Sequence, residues 1–229
     1  MGEVPGFRAE ALRLLDEQAV AADAPAMQRY MKSEMPFLGV RAPSRARIVD
    51  ELCRRFPFPE RDDLIDTTRA LWRNATHREE RYVALSVTGH RTQRAFQDLG
   101  VLGLYEEFVV TGAWWDLVDE TASRRIGPLL LSHPGEVRRL LLRWSTDEDR
   151  WRRRTAIIAQ LRAEDRTDVE LLRRSIEANL TDQDFFLRKA IGWALREHAK
   201  TDPGWVREFA ENHALSPLSR REALRTIDR

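Results

Sequence analysis

The sequence predicts an all-helical fold, an α-solenoid of stacked helix pairs, from three observations. Apolar residues recur at spacings of three and four, as in Leu187, Ile191 and Leu195, which is the period of a helix. Signals for helix starts are frequent along the chain. Three segments near the C-terminus share one pattern at a spacing typical of helical repeats. We find no alternating strand with hairpin punctuation, so a sheet is not expected.

The helix starts are predicted from prolines and from capping boxes. Proline is tolerated in the first turn of a helix but not in its interior. Four prolines lie where a helix could begin: Pro25, Pro43, Pro134 and Pro203. Three segments have the capping-box form, in which two side chains bind backbone amides at the helix start: Thr76-x-x-Glu79, Thr167-x-x-Glu170 and Ser219-x-x-Glu222.

The repeat has the form Arg-x-Ala-aliphatic. Its alanines, Ala156, Ala190 and Ala223, are 34 and 33 residues apart, which fits one helix-turn-helix unit per repeat. Such units stack and curve, so we expect a concave face along one side of the solenoid. A plain helical bundle is the alternative. No linker rich in glycine, serine or proline divides the chain, and we expect a single domain over residues 1–229.

Composition excludes several functional classes. The hydrophobic fraction of 42% is ordinary for a globular protein, and no apolar run is long enough to span a membrane. The first residues lack the apolar core of a secretory signal, so we expect a cytoplasmic protein. The single cysteine, Cys53, is expected in the core. Five histidines show no metal-ligand spacing, and no phosphate-binding glycine loop is present, so neither metal nor cofactor is expected.

The basic residues are almost all arginine. Three of the 38 are lysines, although the formal net charge is only +1. A GC-rich genome is the ordinary explanation, but basic residues cluster around Trp151 and again at Arg188 and Lys189. A nearly neutral protein can hold DNA if its positive charge is gathered on one face. Three arginines share one repeat position and could form a row that binds phosphates: Arg154, Arg188 and Arg221.

The densest candidate site is the segment from Trp114 to Asp119. On a helix, Trp114 would share the core face with Leu117 and Val118. Trp115 and Asp119 are four residues apart and therefore adjacent on another face. A half-buried tryptophan beside a solvated aspartate would explain this spacing without a function; a site that combines a ring with a carboxylate is the other interpretation.

A second candidate is Trp193, which follows Gly192. Glycine is costly inside a helix, so it indicates that another group approaches closely. That group is either a packed helix or the backbone of a ligand.

Several of these segments resemble the AlkD type of bacterial DNA alkylation-repair glycosylase, in family order and over nearly the whole chain. The most specific are Trp114-Trp115-Asp116-x-x-Asp119 and the stretch from Lys189 to Glu197. The others are Arg29-Tyr30-Met31-Lys32, Phe37-Leu38-Gly39-Val40, Trp151-x-x-Arg154-x-Ala156-Ile157 and Leu218-Ser219-x-Arg221-Glu222-Ala223.

The resemblance implies a solenoid of HEAT-like repeats that holds duplex DNA in its concavity and releases N3- or N7-alkylated purines. It implies a catalytic cluster of Asp119, Trp115 and Trp193. It also implies DNA contacts for Arg154 and Tyr30, and Arg188 and Lys189 are assigned to DNA binding as well. Arg41 stands where the family has a glutamine facing the DNA opposite the lesion, which leaves the handling of the opposing base open.

The chemistry agrees with these residues. A cationic alkylpurine leaves as a neutral base, so an aspartate with an ordinary pKa can stabilise the positive sugar without a general acid. The resemblance implies that the base is not flipped. We expect a monomeric, monofunctional, nucleoid-associated bacterial enzyme that needs no metal. Lys189 is the one serious candidate for a Schiff base. The rival interpretations are a non-catalytic protein that binds distorted or branched DNA and a protein-binding scaffold.

Overall fold

The computed structural model describes residues 2–227, and over that range the chain forms fourteen α-helices and no strand. The predicted all-helical fold is confirmed. The helices group into two compact units, Met1–Leu104 and Tyr105–Arg229. No helix within the described range is long and apolar enough to cross a membrane.

The first unit packs its helices around an aromatic core. Phe7 contacts the rings of Phe56 and Phe58, with centroids 5.7 and 5.6 Å away. Short 3₁₀ turns, Arg91–Phe96 and Leu99–Val101, follow the last helix of this unit. The helices are α1 (Phe7–Glu17), α2 (Ala24–Met31), α3 (Ala42–Arg55), α4 (Arg61–Arg73) and α5 (Arg78–Thr88).

The second unit contains the predicted repeats. Its helices are α6 (Leu102–Gly112, which starts at the end of the first unit), α7 (Trp115–Thr121), α8 (Gly127–Ser132), α9 (Pro134–Trp144), α10 (Arg150–Ile158), α11 (Val169–Glu177), α12 (Phe185–His198), α13 (Pro203–Asn212) and α14 (Pro217–Leu224). The repeat alanines lie buried on α10, α12 and α14, which pack against one another in series. Helices α9, α11 and α13 each pack on this series, so the predicted stacking of helix pairs is confirmed for this unit.

The proline signals were correct, and the capping boxes were wrong. Pro25, Pro43, Pro134 and Pro203 each stand in the first turn of a helix. In contrast, the residues that cap α5, α11 and α14 are His77, Asp168 and Ser216, not Thr76, Thr167 and Ser219. In each helix a neighbouring residue caps the first amides. Glu79 and Glu222, the acids predicted to cap α5 and α14, bind partners elsewhere in the chain.

Two glycines permit close helix contacts in the second unit. A Cβ added to Gly192 would lie 2.8 Å from the carbonyl oxygen of Ser219, so this glycine lets α14 pack tightly on α12. The packed helix, and not a ligand backbone, explains its position. A Cβ on Gly127 would lie 2.3 Å from the carbonyl oxygen of Ala159, which brings the start of α8 onto the end of α10.

Candidate active site

A surface pocket of about 400 Å³ in the second unit contains the three residues of the expected catalytic cluster. Trp115 and Asp119 come from α7, and Trp193 comes from α12. The pocket is also lined by Asp116, Glu120, Ser123, Arg124, Leu161, Arg162 and Glu197. Residues 78 positions apart in the sequence therefore meet in one cavity.

Asp119 is held by Arg154 through a bidentate ion pair. The guanidinium Nε donates to Oδ1 and Nη2 donates to Oδ2, both at 2.7 Å. The third nitrogen, Nη1, donates to the carbonyl oxygen of Phe186 at 2.5 Å. The Arg154 side chain is only 4% exposed and that of Asp119 is 14% exposed. A paired fork of this kind fixes the plane of the carboxylate as well as its charge.

Burial raises the pKa of Asp119 above its ordinary value, and the guanidinium of Arg154 opposes this rise. The neighbouring carboxylate of Asp116 adds to the rise. The sequence-based expectation of an ordinary pKa was therefore wrong, because it could not include burial. A carboxylate with a perturbed pKa in a pocket is typical of a functional site.

The backbone after Asp119 helps to place it against α10. Helix α7 continues as a π-helical turn, Ala122–Ile126, before α8 begins. The Ser123 hydroxyl donates to the carbonyl oxygen of Asp119 at 2.7 Å. Because Gly127 lets the following helix start close to the end of α10, the π-helical segment is brought beside the helix that carries Arg154. π-Helical turns are frequent at functional sites.

Trp114 does not share a helical face with Leu117 and Val118, although those two residues are buried as expected. Ala113 has a φ of 41°, which ends α6, and Trp114 is extended at the N-cap of α7. Its ring contacts Trp151 and Phe186, with centroids 6.2 and 5.3 Å away. This aromatic cluster packs the starts of α7, α10 and α12 together.

The arginine run around Trp151 is neutralised by acidic partners. Each of its four arginines makes an ion pair, so the run is not a free positive surface. The pairs are Arg150 with Asp184 at 3.1 Å, Arg152 with Glu106 at 2.8 Å, Arg153 with Asp182 at 3.2 Å and Arg154 with Asp119 at 2.7 Å. A high density of basic residues in the sequence therefore does not show which positive charges are free to bind a ligand.

The three arginines of the repeat lie in different environments. Arg154 is buried, Arg221 is exposed, and Arg188 is half-buried, where it donates to the Asp182 carbonyl oxygen and the Gln183 side chain. Lys189 is 41% exposed and pairs with Glu222 at 2.8 Å. Contact of Arg188, Arg221 or Lys189 with phosphate stays a prediction. So does contact of Arg154, although its three guanidinium nitrogens already donate within the protein.

Tyr30 and Arg41 belong to the first unit. The Tyr30 side chain is strongly exposed, and Arg41, at the N-cap of α3, is bonded to Asp23 at 2.8 Å. The loop before Arg41 is fixed by the buried Glu79, whose carboxylate accepts from the amides of residues 38–40 at 3.0 to 3.1 Å. This is the acid that sequence reasoning assigned to a capping box.

Glu197 and Arg162 are two of the pocket residues that were not assigned to the site from the sequence. Glu197 lies four residues after Trp193, the same spacing as Trp115 and Asp119, so this signal was present and was not used. Arg162 lies in a loop and carries no pattern that could have found it. Within the described part of the chain, no group of three or more histidine, cysteine or acidic side chains could hold a metal ion.

The fold and the pocket together define a helical-repeat protein in which an arginine-bound carboxylate shares a cavity with two indole rings. The family model described as DNA alkylation repair enzyme matches residues 11–227, and the chain belongs to that family. No curated protein matches the chain. Among solved structures, it is similar to a predicted DNA alkylation repair enzyme from Enterococcus faecalis, with 31% identity and a TM-score of 0.81. That match covers 92% of this chain and 97% of the other.

Proposed function

We propose that this protein is a monofunctional DNA glycosylase that hydrolyses the N-glycosidic bond of N3- and N7-alkylated purines in duplex DNA. The observation that carries the proposal is the Asp119 carboxylate, which is held by Arg154 and lines the same pocket as Trp115 and Trp193. A fixed negative charge beside indole rings suits a reaction in which positive charge develops on a sugar.

The proposed reaction needs no acid to protonate the leaving group. The bond between C1′ and the purine nitrogen breaks, and its electron pair neutralises the cationic base. The sugar becomes oxocarbenium-like, as in other glycoside hydrolyses, and Asp119 stabilises it. Water then attacks C1′, and Asp119 accepts one of its protons and passes it to solvent. The products are a neutral alkylpurine and an intact abasic site.

In this proposal Arg154 is a positioning residue. Its guanidinium favours the ionised form of a carboxylate that burial would otherwise protonate. The bidentate geometry also orients Asp119, leaving the remaining carboxylate lone pairs for water or the sugar.

A covalent route through lysine is less well supported than hydrolysis. All three lysines lie in the described range, and none of them lines the pocket. The amine of Lys189 is engaged in an ion pair with Glu222 at 2.8 Å. We therefore propose that water, and not an amine, completes the reaction.

The resemblance to AlkD-type glycosylases extends the proposal to the state of the lesion, which would stay in the helix while the enzyme acts on the sugar. Bulky N7 adducts would then be released as well as methylated bases, because no closed base pocket limits their size. Release from duplexes with N7 substituents of increasing size measures this. A steep fall in rate from methyl to larger groups would favour a base-binding pocket.

The direct test is incubation of the purified protein with an alkylated duplex in EDTA, followed by identification of the released bases by mass spectrometry. We expect 3-methyladenine or 7-methylguanine to be released, no strand break before alkali treatment and no covalent complex after borohydride. Failure to release any alkylated base would overturn the glycosylase proposal. Activity that is lost in EDTA and restored by zinc or magnesium would overturn its metal independence.

A further inference from the structure

The loop between α10 and α11, residues 159–168, is closed by the side chain of a buried glutamine. The amide nitrogen of Gln160 donates to the carbonyl oxygen of Asp168 at 3.0 Å, and its oxygen accepts from the Asp168 amide at 2.7 Å. Asp168 in turn caps α11 by accepting from the Leu171 amide at 2.9 Å. These hydrogen bonds join the two ends of the loop and hold its backbone in one conformation.

This loop places Arg162 on the wall of the pocket that contains Asp119 and Trp193. The side chain is exposed, and among residues 2–227 it makes no hydrogen bond or ion pair. The other arginine of the pocket wall, Arg124, pairs with Glu120 at 3.0 Å. Each arginine in the run from Arg150 to Arg154 also has an acidic partner. Arg162 is thus a cation of the pocket that has no partner within the described part of the chain.

The charge of the pocket gives this cation a role. Its walls carry four carboxylates, those of Asp116, Asp119, Glu120 and Glu197. The cations that pair with three of them are already bound: Arg154 to Asp119, Arg124 to Glu120 and Lys200 to Glu197. These carboxylates favour a cationic base and a positive sugar, but they repel the phosphates on either side of that sugar. Because like charges at such short range are costly, a free cation is needed where the backbone approaches.

We propose that Arg162 binds a backbone phosphate of the DNA strand whose sugar lies at Asp119. This inference rests on the proposed function and adds to it a phosphodiester-binding residue at the pocket. Arginine suits this ligand because its planar fork can donate two parallel hydrogen bonds to one phosphate. The closed loop limits the entropy that is lost when the side chain is ordered.

The test is the salt dependence of duplex binding for Arg162→Ala, with Arg166→Ala as the matched control. Arg166 is an exposed arginine of the same loop that does not line the pocket. We expect the slope of log affinity against log salt to become smaller by about one unit in Arg162→Ala and to stay unchanged in Arg166→Ala. We expect Arg162→Lys to keep most of the slope with weaker binding, since it keeps the charge and loses the fork.

Base release by the same proteins separates the two proposals. We expect Arg162→Ala to raise KM and to leave the pH profile of kcat unchanged. If wild-type protein releases alkylpurines while both alanine variants bind with the wild-type slope, the Arg162 inference is wrong and the glycosylase proposal stands. If no base is released but Arg162→Ala alone loses one unit of slope, the phosphate contact stands and the glycosylase proposal fails. Thermal unfolding checks that both variants are folded.

Discussion

Two helices bring the same pair of residue types to the pocket, but the two pairs have different tertiary partners. Trp115 and Asp119 lie four residues apart on α7, and Trp193 and Glu197 lie four apart on α12. Asp119 is bound by a buried arginine from another helix. Glu197 is bound by Lys200, an exposed lysine one turn away on its own segment, at 2.5 Å.

The difference shows that spacing makes neighbours, whereas the partner determines what a carboxylate can do. Solvent reaches the ion pair of Glu197 and screens its charges. The exposed lysine is therefore not held in one orientation. The pair of Asp119 is mostly buried, so the charge and the orientation of its carboxylate are held in place. We therefore propose the catalytic role for Asp119 and treat Glu197 as part of the electrostatic surroundings.

The largest effect is expected for Asp119→Asn, which removes the charge and nearly preserves the shape. Loss of one preorganised group that stabilises a transition state commonly costs on the order of 10²- to 10³-fold in rate. Single-turnover base release measures this, and duplex binding should survive. A near-normal rate would mean that the two carboxylates do not differ as the structure suggests.

A smaller effect with a distinct pH signature is expected for Arg154→Gln. Without the guanidinium, burial raises the pKa of Asp119 further, so the acidic limb of the pH–rate profile moves to higher pH. Activity depends on the ionised carboxylate, so it is lost over a wider acidic range than in the wild type and is partly regained as the pH rises. Removing one partner of a buried pair also costs about 3–5 kcal/mol of stability, which thermal unfolding reports. Arg154→Lys should restore part of both properties.

The same variant tests whether Arg154 contacts DNA. Because all three guanidinium nitrogens donate within the protein, we expect the salt slope of duplex binding to stay unchanged in Arg154→Gln. A slope smaller by about one unit would show that Arg154 also neutralises a phosphate.

An intermediate effect is expected when an indole is removed. Trp193→Ala should slow base release by about twofold to thirtyfold, since cation–π stabilisation ranges from about 0.5 to 2 kcal/mol. Trp193→Phe keeps an aromatic face and should retain more activity. Trp205→Phe, on α13 outside the pocket, is the control. Equal losses in the two phenylalanine variants would point to general destabilisation.

The smallest effects are expected for Glu197→Gln and Lys189→Ala. Glu197→Gln makes the same change, from carboxylate to amide, as Asp119→Asn, and it also lies four residues after a tryptophan. We expect the rate of base release to change by less than about threefold. Its pH profile should keep the wild-type acidic limb. Lys189→Ala should leave base release unchanged, because Glu222 keeps Arg196 as a partner at 2.6 Å. A loss of activity with either variant would require a second catalytic group.

Local sequence patterns predicted the all-helical fold and several helix starts but few of the tertiary contacts. Pro25 or Pro203 restricts the backbone of its own turn, so such a signal can be read from a few residues. The capping boxes failed because a glutamate near a helix start has several partners to choose from. Glu79 binds the amides of residues 38–40, and Glu222 binds Lys189 and Arg196. Those partners are 26 or more residues away in the chain.

The sequence by itself determined the all-helical fold and the adjacency of Trp115 and Asp119, which follow from the period of a helix. It also determined the stacked repeats, which follow from a motif that recurs after 34 and 33 residues. Only the tertiary structure decided that Arg154 turns inward to Asp119 and that Arg162 remains unpaired on the pocket wall. The physical reason is that charge acts through space: whether an arginine is neutralised depends on the acids brought near it by packing, and on how much water remains between them.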